Sequence, residues 1–520
     1  MFPSFVIPDS VVPIGYQIVN SLRYNGSSSR FNIGAPAGRS LVKTTLNGWF
    51  KFEPLTSMTL MGSGSSNAAY NLVAVLATGE IQFYFANSTP TVLGSIKTVA
   101  KFIDPTAWYN VHVVFDSANA VATDRMQIWV NGVRQAVTIL TQCALNAALF
   151  ANLWLYIGTR QISGTFSAYM DGYAAQAYLI DNQVLSPVGN FGDFDPVTDQ
   201  FVPIEYPLAF GTRDMFYEFK NGGTVTTLGA DSSGNGYSAT LTGMTRAAGS
   251  SDCWFTDTPT KNFCTLNNLW ATGTISNGAL TYAQGATPNA NARGNFAIKP
   301  NTGKWYWEYQ IASAVQSGVC GICNANLPTN VQANLNANAW AYVGTGLKYI
   351  AGVSSAYGAT WTSTSVIGIV YDSTALTLQF YKDGVAQPLI TGIPADTYFP
   401  LATQASATSY TGYSNFGQRL FAQAVPAECK TLDVTNLDEV VITSGSFLGN
   451  ANVSGPTVWM NGTPETLTID SVVVPAANYD ALANGFKLRA SYTAVQHPWS
   501  ATILSPASDS AFKNRNAQSN

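Results

Sequence analysis

The chain has 520 residues, 46% hydrophobic and only 10% charged, with a formal net charge of −4. That length exceeds a single core and sets an expectation of about two to four domains. The 12 Trp, 25 Tyr and 27 Phe exclude a disordered chain, and the low charge, with no run of Lys or Arg, excludes a broad electrostatic surface for nucleic acid.

Met1 to Ile14 is apolar but interrupted by Pro3, Pro8, Asp9 and Pro13, so it lacks the unbroken core of a signal peptide. Residues 1–17 are expected to form an extended arm that docks on a partner. No apolar stretch of about 18 residues occurs, so no membrane-spanning helix is expected. Residues 18–222 read as strands. Met126, Ile128 and Val130 alternate with Arg125, Gln127 and Trp129, and Asn131-Gly132 follows as a hairpin turn signal. His112, one of two histidines, falls in the strand pattern Val111-His112-Val113-Val114-Phe115 and reads as a strand residue rather than a catalyst. Leu145, Leu149 and Leu153, at spacing four, suggest one short helix over Cys143 to Leu153.

Asn221 to Gly236 is rich in Gly, Thr and Ser and opens a connector expected over 223–290. Residues 291–425 repeat the earlier pattern. Leu376, Leu378 and Phe380 alternate with Thr377, Gln379 and Tyr381, and Asp383-Gly384 closes the strand. Two separate antiparallel sandwiches explain the repeated device better than one large sheet. Residues 426–520 alternate again, as in Glu465 to Val472, and predict a smaller β domain with a polar tail after Ser505. The expected fold is therefore all-β: two antiparallel β-sandwiches plus a small C-terminal β domain.

The six cysteines read mainly as buried thiols. Cys320 and Cys323 are spaced C-x-x-C, but residues three apart on a strand point to opposite faces. Asp116, Asp124 and Asp171 are candidate calcium oxygens that more simply serve turns. Asp231 to Gly236 lacks the acid spacing of an EF-hand and reads as an Asx turn. No metal or other cofactor is expected. Hydrolysis of a glycan would need two carboxylates facing one cleft, about 5–9.5 Å apart. Asp438 and Glu439 are adjacent and so point apart, while Asp193 and Asp195 sit in a loop pattern. With no G-x-S-x-G, P-loop or dinucleotide motif, a non-catalytic role is expected.

Several segments carry a resemblance. Gly48-Trp49-Phe50, Trp108 to Val113, Ile128 to Gly132 and Met170-Asp171-Gly172-Tyr173 resemble a laminin-G or concanavalin-A-like lectin domain. Gly303-Lys304-Trp305-Tyr306-Trp307-Glu308, Ile367 to Asp372, Phe380 to Gly384 and Tyr398-Phe399-Pro400 resemble a SPRY domain, although Ser365-Val366 stands where that family usually has Gly-Asp. The order of the two, with Asn262 to Asn267 between them and Asn415 to Arg419 closing the second, is similar to tailed-bacteriophage virion proteins. That resemblance covers roughly residues 1–430. It implies a virion structural protein on the tail or another outer surface, most simply a tail fibre or receptor-binding component that recognises host surface glycan. It also implies contact with other virion proteins through the arm and self-association as a homotrimer. The alternative is an architectural head or collar decoration without receptor binding.

Sugars stack on aromatic rings and pair with amides and hydroxyls. Trp340, Tyr342, Tyr349, Tyr357 and Trp361, with Asn334, Asn336 and Asn338 just ahead, supply those types and form the candidate carbohydrate-binding set. The same rings could instead close the end of the sandwich as core or interface. Trp305 and Trp307, on one face of a strand, read as core.

Overall fold

The computed structural model describes residues 16–436 except 35, 53–55, 65–68, 88, 90, 150–153, 196–198, 247–251, 286–290, 313–316 and 405–408, together with the backbone of six strands between 445 and 488. The N-terminal arm up to residue 15, Asp438-Glu439 and the tail after Ser505 lie outside the described residues. The protein is nearly all-β, built from antiparallel sheets.

The first sandwich faces two eight-stranded sheets against each other. One runs in the order Val133–Arg134, Met126–Val130, Tyr109–Asp116, Lys43–Phe52, Asp171–Asp181, Ser21–Asn25 and Trp254–Phe255, with Met215–Tyr217 also beside Asp171–Asp181. The other runs Val137–Thr141, Val92–Thr98, Ile81–Ala86, Tyr70–Val75, Met58–Gly64, Trp154–Ile157, Arg30–Ile33 and Thr240–Thr242. Period-two patterning builds the core between them. Met126, Ile128 and Val130 are buried and pack with Phe83, Phe85 and Phe115, while Gln127 and Trp129 face outward. Asn131 and Gly132 both take positive φ, 47° and 76°, as the hairpin turn requires.

Among the described residues, Cys143 to Leu149 is not helical. Asn146 has φ 57° and turns the chain, and Leu149 enters the core while Leu145 stays exposed. Leucines at spacing four thus serve an extended crossing with a turn. All six cysteines are free thiols. Cys320 and Cys323 are fully buried, and burial pushes the Cys323 thiol up to about 12. Asp231 makes the expected Asx turn, accepting from Ser233 N (2.9 Å) and Tyr237 N (3.0 Å).

His112 lies in strand Tyr109–Asp116 and is fully buried. Its Nε2 donates to Leu185 O (3.0 Å), which leaves Nδ1 to accept from Asn47 Nδ2 (3.4 Å). Burial holds the imidazole down at about 3, against the partial support of Leu185 O. The unfolded chain takes this proton near pH 6.5 and the folded ring does not until about 3. The His112 contribution is thus complete above pH 6.5 and is lost as pH falls from 6.5 toward 3, on the order of 4 kcal/mol. Urea titrations across that window should show His112→Gln with a flatter pH dependence than wild type. Identical slopes would place the acid sensitivity elsewhere.

The second sandwich pairs an eight-stranded sheet with a six-stranded one. The first runs Thr274–Ser276, Thr281–Gln284, Tyr410–Asn415, Lys304–Ile311, Ile367–Asp372, Thr377–Lys382 and Val385–Ala386, with Cys429–Lys430 added parallel to Lys304–Ile311. The second runs Asn291–Arg293, Tyr398–Gln404, Gly318–Asn324, Ala339–Val343, Leu347–Ile350 and Val353–Ala356. Leu378 and Phe380 are buried as the alternation requires, while Leu376 has φ 56° and belongs to the preceding turn. Trp305 and Trp307 are core. Asp383 fixes the chain at Val366: its Oδ1 accepts from Val366 N (2.8 Å) and its own N donates to Val366 O (3.0 Å). Buried Glu308 accepts from Ala422 N (2.9 Å) and Gln423 N (2.8 Å), pinning the chain that leaves the sheet.

The stretch 223–290 does more than connect. Thr240–Thr242 and Trp254–Phe255 extend the first sandwich, and Thr274–Ser276 and Thr281–Gln284 extend the second. Between them, Asp257 is completely buried and accepts from Lys51 Nζ (3.0 Å) and Trp108 Nε1 (3.0 Å). Lys51 Nζ also reaches Asn262 Oδ1 (2.7 Å). Asp171 accepts from Asn277 N (3.0 Å) and Gly278 N (2.6 Å), and Tyr173 OH donates to Gly278 O (2.6 Å). Thr256 N donates to Gln418 O (2.8 Å). A polar seam therefore ties the two sandwiches together.

The strands between 445 and 488 belong to a compact unit distinct from the one that holds the two sandwiches. Gly445–Leu448, Thr457–Met460, Leu467–Ile469 and Val472–Val474 make a four-stranded antiparallel sheet, and Tyr479–Leu482 pairs with Gly485–Leu488.

Candidate functional site

Of the five aromatics singled out from the sequence, the structure packs Tyr342, Tyr357 and Trp361 together and places Trp340 against Tyr398. Trp340 is buried edge-on against Tyr398, with ring centroids 5.1 Å apart. Tyr342 and Trp361 are buried and pack on each other (5.9 Å), on Phe380 (5.3 Å from Tyr342) and on Tyr309 (6.2 Å from Trp361). A Cβ at Gly318 would come within 2.7 Å of Trp361 Cη2, so glycine there makes room for the indole. Tyr357 is half-buried, edge-on to Tyr342, and its hydroxyl donates to Pro388 O (2.6 Å). Tyr349, also half-buried, packs with Val319, Ala341 and Val343. Trp340, Tyr342 and Trp361 are therefore core, and a ring without free surface cannot stack on a sugar. Of the three asparagines, Asn334 is buried, and Asn336 Oδ1 accepts from Asn338 N (3.0 Å) in a turn.

The candidate calcium oxygens also have structural partners. Asp124 pairs with Arg134 (2.5 Å), Asp116 lies 3.9 Å from Lys43 Nζ, and Asp171 is occupied by the Asn277-Gly278 turn. Among the described residues, no three His, Cys, Asp or Glu side chains are grouped as a metal site.

Ligand-sized space appears at the end of the eight-stranded sheet of the second sandwich, where Gln284, Gly285, Tyr410 and Ala312 meet. Register brings Thr274, Ala283 and Thr411 into one row, and Ala312 N donates to Thr411 O (2.8 Å) at its end. These residues, with Gly285 and exposed Ser409, line a cleft of about 340 Å³. Tyr410 and Gly412 are buried, so Thr411 and half-buried Tyr413 share the opposite face of the strand. Hydroxyls and backbone amides in the lining, with a tyrosine on the same strand face as Thr411, suit a neutral polyhydroxylated ligand. The alternation Tyr410-Thr411-Gly412-Tyr413 carries a signal for this site, an aromatic on the polar face of a strand.

Position favours this end. Cys429 pairs with Lys304, and the chain just beyond it meets the seam, with Phe263 paired to Asp433. Strand Lys304–Ile311 starts at that end and finishes beside the cleft at Ala312. The cleft thus lies at the opposite end of the strand from the Phe263–Asp433 pairing.

The SPRY domain family model matches residues 304–418. Similar solved structures include the SPRY domain of human HERC1 (16% identity, covering 30% of this chain and 99% of that one, TM-score 0.27). Another is a human SPRY domain (13% identity, covering 29% and 98%, TM-score 0.24). A third is a native heptameric SAP-like pentraxin from Limulus polyphemus (16% identity, covering 36% and 94%, TM-score 0.27). No curated protein matches the chain.

Proposed function

We propose, from the premise of a chain that carries a SPRY domain at residues 304–418, that the protein is a non-catalytic attachment component of a bacteriophage virion, of the tail-fibre type, and that it reads a host surface glycan. The observation that carries this proposal is the cleft on the second sandwich, lined by Thr274, Thr411 and Ser409, with Tyr413 on the same strand face as Thr411. The polar seam supports it, because two sandwiches held together present the cleft in a fixed direction. Trimerisation would convert weak individual contacts into useful avidity. The arm at residues 1–17 would join the fibre to other virion proteins.

One observation favours the architectural alternative. Strand Val137–Thr141 is a sheet edge without charge or proline, and it exposes Ile139 (41%) and Leu140 (53%). Edges of that kind pair readily with another chain.

The test uses the full purified chain against bacterial cells and their extracted surface polysaccharides. Wild type should bind saturably. Ser409→Trp, which fills the cleft, and Tyr413→Ala should each weaken binding by about tenfold, roughly 1.4 kcal/mol, with unchanged melting temperature. Folded wild type that binds none of them would overturn receptor recognition in favour of the architectural role.

A further inference from the structure

A second, unrelated space lies inside the first sandwich. It is a cavity of about 70 Å³ between the two sheets, walled mainly by Val73, Phe83, Leu155, Ile157 and Leu179. Polar side chains also line it, and two of them, Arg39 and Asn71, each have one orphaned buried atom. Arg39 is 9% exposed, and its buried Nε–H has no hydrogen-bond acceptor; the nearest charge, Asp181 Oδ1, is 3.9 Å away and already accepts from Ser40 N (2.8 Å). Asn71 donates its amide to Ser63 Oγ (2.8 Å), but its buried Oδ1 accepts from nothing.

A buried donor and a buried acceptor left unpaired are costly, and native proteins usually satisfy such groups. Here a donor and an acceptor sit in the lining of one largely apolar cavity. Burial disfavours the Arg39 charge, and Asp181 and Asp214 partly offset that; with the Asp181 carboxylate 3.9 Å from Arg39 Nε, an anion here would meet like charge. The site calls for a neutral head that accepts from one group and donates to the other, and a hydroxyl does both. The cavity is about half the size of an engineered cavity of roughly 150 Å³ that binds benzene, which limits the apolar body to a few carbon atoms.

We propose that the space between the sheets of the first sandwich is a binding site for a small neutral alcohol, with its hydroxyl on Arg39 Nε and Asn71 Oδ1 and its short apolar chain against Val73, Phe83 and Leu179. The site is independent of the cleft on the second sandwich, and either can fail alone.

The test uses the full chain with 1-butanol and its near-isostere 1-chlorobutane, followed by saturation-transfer NMR and thermal shift. Wild type should bind 1-butanol saturably and prefer it to 1-chlorobutane by about tenfold, the scale of one buried unpaired polar group. Ala177→Leu, which places a larger side chain in the cavity wall, should abolish binding of both while raising or keeping the melting temperature. Arg39→Met should keep the apolar site and reduce the preference, since Asn71 Oδ1 still accepts from the hydroxyl. If Ala177→Leu does not fold, the wild-type preference and its reduction in Arg39→Met still decide the matter. No saturable binding of either probe, the result of a cavity filled by water alone, would overturn the proposal. So would equal affinity of wild type for the two probes.

Discussion

Asp257→Ala should destabilise the protein by about 3–5 kcal/mol, because it leaves the Lys51 ammonium buried without its counter-ion. Lys51 is 1% exposed, and the carboxylate it faces also accepts from Trp108 Nε1. Removing the acid therefore strands the Trp108 indole N–H and leaves the Lys51 charge only the neutral acceptors Asn262 Oδ1 (2.7 Å) and Phe263 O (3.3 Å). In urea, the wild-type sandwiches should unfold together, whereas Asp257→Ala should shift the midpoint down and separate the two transitions. Replacing both partners, Lys51→Met with Asp257→Leu, should recover much of the loss, since no charge then remains buried. A single unshifted transition in Asp257→Ala would mean that the seam contributes little to coupling.

Trp361→Ala should cost about 3–5 kcal/mol through the cavity it opens among Tyr309, Tyr342 and Gly318. Trp361→Phe should retain most of the stability, because the buried indole Nε1–H has no acceptor to lose. Calorimetry of the two variants distinguishes the core role of this ring from the sugar-stacking alternative that the sequence left open. A Trp361→Ala protein with unchanged melting and selectively lost glycan binding would restore the ring to the surface.

The all-β class and its hairpins were legible because they depend on local rules. Asn131-Gly132 and Asp383-Gly384 announce two turns by residue type alone, and period-two alternation assigns Ile128 and Phe380 to the core. The candidate site was not legible in the same way. Trp340, Tyr342 and Trp361 have the composition of a sugar platform, but the same rings fill a sandwich end, and composition does not record which side of a sheet they occupy. Short strands such as Trp254–Phe255 carry too few residues to show a period. The Lys51–Asp257 pair joins residues 206 apart in sequence, so no local pattern marks it. The cleft was hidden for a related reason: its row of Thr274, Ala283 and Thr411 is contiguous only across three strands.

The route of the chain around the SPRY sandwich has a consequence for exchange of parts. Asn262 O accepts from Val434 N (2.9 Å), and Cys264 N donates to Leu432 O (2.8 Å), so entry and exit run side by side as one short ladder. A segment whose two ends meet can be cut out and replaced as a cassette without moving what precedes or follows it. The natural graft points lie at this ladder, just after Asn262 and just before Val434, with Lys51, Trp108 and Asp257 left behind on the host. A foreign domain with closely spaced ends could then be seated on the first sandwich, keeping the Lys51–Asp257 pair but replacing the contacts of Asn277, Gly278 and Gln418, which leave with the segment.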